Sequence, residues 1–334
     1  MDKREERRLD CHFAWHLKQW QHLTELRIAG RLPHALLLAG PPGIGKMRFA
    51  EALSYSLLCD QSGQETACGD CKQCQLCLSG HPDLKIIEPE EGARQIKVDQ
   101  IRAVIHFLSQ TSHAGGYKIV LLKPAETMNI NAANAVLKSL EEPTENSLLI
   151  LVSDMPGSLM PTIRSRCQLL YFPVPAANDV LAWLTPFTAN EGLASQLLLE
   201  AAGQPLTALN YLNSGGLQRR QLMTTEFLQA MSGRLQPLAL ADKWKEHELA
   251  DILSWLNAKL SLLIRSDQAN LKLPAEWANL APISSVLLLG LLDKTNDLAL
   301  KLRRGANPNK QLALEALLLS CVKVFQLGDS LAAS

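Results

Sequence analysis

The feature that most constrains this chain is the segment GPPGIGKM at residues 40–47. It matches the phosphate-loop pattern G-x-x-x-x-G-K, in which backbone N–H groups curl round phosphate oxygens and a lysine reaches the outer phosphates. A short apolar run precedes the segment and helical spacing follows it, which is the strand–loop–helix context that the pattern requires. That context favours a nucleotide loop over a Gly-Pro loop with a chance lysine. The candidate nucleotide-binding residues are Gly40, Gly43, Gly45 and Lys46.

The rest of the N-terminal half alternates between short apolar runs and segments with helical spacing. This alternation predicts a mainly parallel sheet with helices on both faces. Pro173 and Pro175 mark a boundary, and everything beyond them has the spacing of helices. The predicted strands are residues 35–39, 83–87, 118–122, 148–153 and 168–172, and the predicted helices before the boundary are residues 13–29, 49–58, 98–110 and 131–140.

Five of the eight cysteines crowd into a polar insertion that has no periodicity of its own. Four of them, Cys59, Cys68, Cys71 and Cys74, form C-x8-C-x2-C-x2-C, a spacing that lets four thiolates converge on one zinc ion. Four sulfur ligands leave no open position, so the predicted zinc site is structural. The alternatives are free cysteines, or an iron–sulfur set in which Cys77 extends the C-x2-C run.

Charge and hydropathy bound the function of the chain. Lys plus Arg equals Asp plus Glu at 33 each, and this balance disfavours autonomous duplex binding, which usually needs a basic excess. The first ten residues lack the apolar run of a secretory signal, and the longest apolar stretches are too short for a membrane span. We therefore expect a cytoplasmic protein, and clustered cysteines in a reducing compartment favour metal binding over disulfides.

Two faults disturb the nucleotide site. Met47 occupies the position whose Ser or Thr hydroxyl normally holds Mg²⁺, and a thioether is a poor ligand for so hard a cation. Lys123 and Pro124 follow the predicted strand at residues 118–122, where hydrolysing proteins carry an Asp-Glu pair. These residues predict that ATP hydrolysis is absent and leave ATP binding open.

The order of motifs along the chain resembles one family. The cysteine insertion directly follows the phosphate-loop helix, residues 131–143 read NAANAVLKSLEEP, and Ser165-Arg166-Cys167 follows a strand. Asn307-Pro308 precedes a final apolar helix. Together these features resemble the clamp-loader subunits of bacterial DNA polymerase III, which belong to the AAA+ class, and the resemblance spans nearly the whole chain.

The resemblance implies a three-domain architecture. An α/β AAA+ module with a parallel sheet would occupy residues 1–172 and carry the zinc-binding insert at residues 59–77. A small helical lid would follow at residues 173–213, and an all-α C-terminal collar domain, which joins the subunits of the loader, at residues 214–334.

Within this family, the faults favour a subunit without intrinsic ATPase activity over the motor subunit. Leu206 stands where a motor subunit carries a sensor arginine, so a third catalytic element is altered beside Met47 and Lys123-Pro124. By resemblance, Arg166 is an arginine finger that acts in trans at a neighbouring subunit's nucleotide. The alternative for Arg166 alone is a surface salt bridge.

The implied partners are the motor (gamma/tau) and delta subunits, the sliding clamp, and primer–template DNA within the assembly of the DNA polymerase III holoenzyme. The implied role is that of a rigid stator in clamp loading. Two rival functions remain: an active AAA+ ATPase with unusual motifs, and a free-standing zinc-containing DNA-binding module.

Overall fold

The fold is described by a computed structural model that covers residues 13–61, 66–269, 277, 284–303 and 305–332. The chain forms two compact units. The first runs to Ala194 and includes Gly203–Thr207. The second consists of Ser195–Ala202 and the chain from Ala208 onward.

The first unit is built on a five-stranded sheet in which every pair of neighbouring strands is parallel. The strands are β1 (Ala35–Ala39), β2 (Leu84–Ile87), β3 (Lys118–Leu122), β4 (Ser147–Ser153) and β5 (Gln168–Tyr171). Their order across the sheet is β2-β3-β4-β1-β5. The three central strands are buried along their whole length, and this explains their nearly continuous apolar sequences.

Helices before, between and after these strands cover both faces of the sheet. They are α1 (Leu17–Ile28), α2 (Lys46–Leu58), α3 (Lys72–Ser79), α4 (Val98–Ser109), α5 (Ile130–Glu141), α6 (Pro161–Arg164) and α7 (Ala177–Leu184). Leu36 and Leu38 pack on one face with Phe49 of α2, whereas Leu37 packs on the other with Val136 of α5. The predicted parallel sheet with helices on both faces is therefore confirmed.

The predicted strands are confirmed to within one residue at each end, and β1 and β3 have the predicted bounds. The cysteine insertion, in which the sequence shows no periodicity, contains the helix α3. Cys71 caps this helix because its sulfur accepts a hydrogen bond from the backbone N–H of Cys74. A helix held by thiols rather than by an apolar stripe leaves no hydrophobic periodicity to detect.

Beyond Pro175, all regular elements in the described ranges are helical, as predicted. Helices α8 (Glu191–Glu200) and α9 (Pro205–Ser214) cross the limits of the two units, and α10 (Gly216–Met231), α11 (Pro237–Trp244), α12 (Leu249–Ala269), α13 (Ser285–Arg303) and α14 (Lys310–Ala332) lie in the second. Three buried tryptophans, Trp244, Trp255 and Trp277, dominate the core of this unit. None of the helices in the described part of the chain combines the length and apolar character that a membrane crossing requires.

Candidate functional site

The glycine-rich loop lies at the carboxyl end of β1 and leads directly into α2, as its sequence predicts. Gly45 is the N-cap of α2 with φ +97°, and Gly43 has φ +69°. Both conformations are costly for residues that carry a Cβ, so glycine is required at these two positions. The backbone geometry therefore agrees with the phosphate-loop pattern.

The side chain of Lys46 does not point out of the loop. Its Nζ donates hydrogen bonds to the carbonyl oxygens of Gly40 at 2.7 Å and Pro41 at 2.6 Å, and to Asp154 Oδ1 at 2.8 Å. An ammonium group has three N–H donors, so these contacts occupy all of them. The side chain is only 3% exposed. The lysine that should reach a phosphate is thus bound by two carbonyl oxygens of its own loop and by Asp154.

A short segment before α9 covers the middle of the loop. The backbone N–H of Leu206 donates to the carbonyl oxygen of Gly43 at 2.9 Å. A Cβ placed on Gly43 would lie 2.1 Å from Thr207 Oγ1. Leu206, where a motor subunit would carry a sensor arginine, therefore contacts the loop through its backbone.

Aromatic side chains near the N-terminus cover the end of the loop. Trp15 Nε1 donates to the carbonyl oxygen of Ile44 at 3.0 Å. The ring of Phe13 lies against Gly45, where an added Cβ would be 2.5 Å from Cε2 of the ring. Phe13 stacks on Trp15 with their ring centroids 4.5 Å apart, and Trp183 packs edge-on against both. The loop is therefore in contact with protein atoms where a nucleotide would lie in a functional site.

The residues at the catalytic positions have structural partners. Met47 is half-buried and packs against the apolar core beside α2. Lys123 forms an ion pair with Glu88 at 2.7 Å, and Glu126 is buried and accepts a hydrogen bond from the backbone N–H of Asp154 at 3.2 Å. The predicted loss of hydrolysis stays a prediction.

Asp154 is the residue that the sequence analysis missed. It follows β4 directly, so it lies at the same carboxyl edge of the sheet as the loop after β1. A charged residue immediately after a fully buried strand was the available signal, because carboxyl ends of parallel strands carry the functional groups of α/β folds. Its carboxylate supplies the charge that holds Lys46.

Arg166 lies between α6 and β5 and is partly exposed. Its Nη2 forms an ion pair with Glu141 Oε1 at 2.7 Å, and its Nη1 donates to the carbonyl oxygen of Thr162 at 3.1 Å. The surface salt bridge that the sequence left open for this arginine is present. Its action at a neighbouring subunit stays a prediction.

The four predicted metal ligands converge. The sulfurs of Cys59, Cys68, Cys71 and Cys74 all lie within 4.8 Å of one another. Two opposite edges of this group, Cys59–Cys71 and Cys68–Cys74, measure 3.8 Å. A tetrahedral zinc ion with Zn–S distances of about 2.3 Å gives sulfur–sulfur edges of about 3.8 Å. The cluster therefore fits a tetrahedral metal ion, and its sulfurs are too far apart for disulfides.

Backbone N–H groups point at three of the four sulfurs and would stabilise their thiolate forms. The N–H of Cys68 points to the sulfur of Cys59, that of Cys71 to Cys68, and that of Cys74 to Cys71, at 3.4–3.5 Å. Hydrogen bonds from the backbone of Cys71 and Asp70 lower the pKa of Cys68 to about 7. A thiol must lose its proton to bind a metal, so these donors favour binding. Burial acts in the opposite direction, because it raises the pKa of Cys59 and of Cys74.

Cys77 lies outside the four-sulfur group, although it packs against it. The group uses Cys59 as its fourth member, and this arrangement does not match the alternative set that runs from Cys68 to Cys77. Burial raises the pKa of Cys77 to about 12, so its thiol stays protonated at neutral pH. Cys77 is therefore a packing residue at the edge of the cluster.

Taken together, the parallel sheet and the strand–loop–helix unit at its carboxyl edge define a phosphate-loop α/β protein whose loop is filled by its own chain. A protein-family model described as DNA polymerase III, delta subunit, matches residues 15–176.

Comparison with proteins of similar sequence shows which family of phosphate-loop proteins the chain belongs to. The DNA polymerase III subunit delta' of Pseudomonas aeruginosa is 37% identical over 316 residues, covering 90% of this chain and 95% of that protein. The Escherichia coli subunit delta' is 31% identical over 326 residues, covering 95% of this chain and 97% of that protein. A gamma subunit-related protein of Thermotoga maritima aligns in structure over 92% of this chain and 99% of its own, with 18% identity and a TM-score of 0.43. On the strength of the two sequence relatives, the chain belongs to the family of DNA polymerase III delta' subunits.

This result confirms the resemblance to clamp-loader subunits and the preference for the subunit type with a faulty nucleotide site.

Proposed function

We propose that this chain is a cytoplasmic, non-hydrolysing stator of the DNA polymerase III clamp loader, which helps to place the sliding clamp on primed DNA. The observation that carries the proposal is the engagement of all three donors of Lys46 within the chain. A subunit whose phosphate-loop lysine is bound to its own chain can keep one conformation while its neighbours bind and hydrolyse nucleotide.

The energetics of the loop oppose nucleotide binding. A phosphate could reach Lys46 only if the ammonium left Asp154 and two carbonyl oxygens. The phosphate would then pair with Lys46, so the cost falls on the Asp154 carboxylate and the two carbonyl oxygens, which lose a charged donor. A hydrogen bond to a charged group is worth about 1.5–3 kcal/mol. The contacts of Leu206 and Trp15 with the loop would add to this cost. ATP occupancy of this loop is therefore not part of the proposed function.

Arg166 is proposed to act on a neighbouring motor subunit's nucleotide. Its present partner, Glu141, has a side chain that is 50% exposed, and a surface ion pair is worth only about 0–1 kcal/mol. A phosphate with several negative charges is a stronger partner for a guanidinium than one exposed carboxylate. Glu141 can therefore orient Arg166 in the free chain and release it at low cost in the assembly.

The cysteine cluster is proposed to hold a structural zinc ion that folds the insertion around α3. Four thiolates close the coordination shell, so the ion would stabilise the fold rather than perform chemistry. The division into an AAA+ module (1–172), a lid (173–213) and a collar (214–334) is part of the same proposal. So are the gamma/tau and delta subunits, the clamp and primer–template DNA as partners.

The test is a comparison of the isolated chain with a purified motor subunit. Calorimetric titration with Mg²⁺-ATP and a phosphate-release assay should detect binding and turnover for the motor subunit only. Addition of this chain to motor and delta subunits should give a defined complex by native mass spectrometry. A Lys46-dependent turnover comparable with that of the motor would sink the stator proposal and favour the active ATPase.

A further inference from the structure

The second unit contains a cavity that the clamp-loader function does not explain. Its volume is about 420 Å³, and it lies between the end of α9, the first half of α10 and the turn that leads into α12. Sites for small molecules typically measure about 300–1,000 Å³. Tyr211, Gly216, Arg220 and Met223 are its buried lining residues.

Arg220 differs from the other buried basic residues of the described chain. Lys46, Lys118 and Lys259 are each paired with a carboxylate, from Asp154, Asp83 and Glu200 respectively. Arg220 is 8% exposed and forms no ion pair with any described residue. Its guanidinium carbon lies 4.9 Å from the ring centroid of Tyr211, which covers one face of the group.

A guanidinium cannot lower its cost of burial by losing its proton, because arginine stays protonated in proteins. Stacking on Tyr211 satisfies the face of the group but none of its N–H donors. Within the described residues no carboxylate pairs with this group, so its N–H donors are open to an acceptor that enters the cavity. A planar fork of N–H donors is best matched by a carboxylate or a phosphate, which accepts two parallel hydrogen bonds.

The charges at the rim of the cavity favour a carboxylate over a phosphate. Glu246, Glu248 and Asp251 line it and are exposed, whereas Arg219 and His247 contribute the basic groups of the rim. A phosphate dianion would be repelled by three carboxylates about twice as strongly as a carboxylate monoanion. A ligand that also carried an ammonium group would be attracted by the same carboxylates.

We propose that this cavity binds a small zwitterionic ligand whose carboxylate pairs with Arg220 and whose ammonium group faces the acidic rim at Glu246, Glu248 and Asp251. The ligand class is that of amino acids and related amino carboxylates. Tyr211 and Met223 form the apolar wall along which the carbon chain of such a ligand packs.

The test uses the full chain labelled with ¹⁵N in its arginine side chains, with 4-aminobutyrate, acetate and inorganic phosphate as probes at equal ionic strength. Arg220→Lys identifies the Nε–H signal of Arg220. We expect a saturable shift of that signal with 4-aminobutyrate, a weaker response to acetate, and the weakest response to phosphate.

Ser214→Trp is the blocking variant, because Ser214 is exposed and lines the cavity. It should weaken 4-aminobutyrate binding by about tenfold or more, since the charged hydrogen bonds to Arg220 would be lost. Ser232→Trp, at another exposed position of the same unit, is the matched control and should bind as the unmodified chain does.

The proposal is overturned if the Arg220 signal responds no more than that of Arg219, if phosphate binds more tightly than 4-aminobutyrate, or if Ser214→Trp binds normally. If Arg220→Lys does not fold, saturation-transfer signals of 4-aminobutyrate with the unmodified chain and Ser214→Trp decide the same question. Neither result bears on the clamp-loader assignment.

Discussion

At the scale of single residues, the lysine of the phosphate loop pairs with a carboxylate of its own chain rather than with a phosphate. Lys46 and Asp154 form an ion pair at the carboxyl edge of the sheet, with Lys46 almost fully buried. A buried ammonium group must be paired to be tolerated, and in a nucleotide-binding loop the phosphates would supply part of that compensation. Here Asp154 and two loop carbonyls supply it, so Lys46 serves the stability of the fold.

Lys46→Ala should therefore destabilise the chain. The substitution removes the Lys46 ammonium from the Asp154 carboxylate and from the Gly40 and Pro41 carbonyls, and we expect a loss of about 2–4 kcal/mol in the free energy of unfolding. Urea unfolding followed by circular dichroism measures this. Lys97→Ala, which removes an exposed ion pair with Glu90 in the same unit, is the control and should leave the unfolding curve almost unchanged. Equal curves for both variants would contradict the structural role of Lys46.

At the scale of elements, two segments depend on close contacts between a few groups. The insertion around α3 depends on four sulfurs, and the loop before α2 depends on close backbone contacts with Leu206 and Thr207. Both are sensitive to changes of a single atom or group.

For the insertion, Cys74→Ser should abolish stoichiometric zinc binding, because Cys74 is fully buried within the four-sulfur group. Cys77→Ser should keep the zinc, because its sulfur lies outside that group. Native mass spectrometry reports the zinc content of both variants, and a strong chelator should lower the melting temperature of the unmodified chain. Zinc loss in Cys77→Ser with retention in Cys74→Ser would refute the ligand assignment.

For the loop, Gly43→Ala should cost more stability than Gly30→Ala. Both glycines have similar positive φ angles, +69° and +64°, so both variants lose about 1 kcal/mol to backbone strain. Only at Gly43 does an added Cβ collide with a neighbour, Thr207, whereas Gly30 has open space. The collision should add about 1–3 kcal/mol, measured by urea unfolding. Similar losses at the two positions would show that the contact between Thr207 and the loop is loose.

The sequence predicted those elements whose stability comes from burial of apolar side chains. The bounds of β1 and β3 were predicted correctly because short runs of consecutive apolar residues indicate a buried strand. The helix α3 escaped because its order comes from thiols and a cap rather than from an apolar face. The four metal ligands were predicted from their spacing in the sequence, because short loops between cysteines allow their sulfurs to meet at one ion.

The internal blockage of the phosphate loop could not be predicted in the same way. The motif showed that Met47 and Lys123 were unsuited to catalysis, but not where the side chain of Lys46 would lie. That direction depends on Asp154, which is 108 residues away in sequence. The loop is also covered by Leu206, through a backbone N–H that almost any residue could provide, and by Trp15, which donates to a backbone carbonyl. Such contacts leave no local pattern.

At the scale of the whole molecule, the chain combines a phosphate loop that contacts its own residues with a surface arginine, Arg166, whose ion pair with Glu141 is exposed. The overall charge is balanced, which agrees with a subunit that works through protein partners rather than by binding DNA alone. The central claim is that catalysis has moved from the loop at Lys46 to Arg166, acting on a neighbour.

The most direct test is the steady-state ATPase rate of a clamp loader reconstituted with motor and delta subunits, clamp, primed DNA and either the unmodified chain or Arg166→Ala. An arginine finger is worth roughly 10³-fold or more in turnover, so the assembly should lose the whole share of the adjacent site. Arg164→Ala, an exposed arginine on α6, is the matched control. The account predicts a reduced rate for Arg166→Ala and an unchanged rate for Arg164→Ala, with both complexes intact; equal rates for Arg166→Ala and the unmodified chain would contradict it.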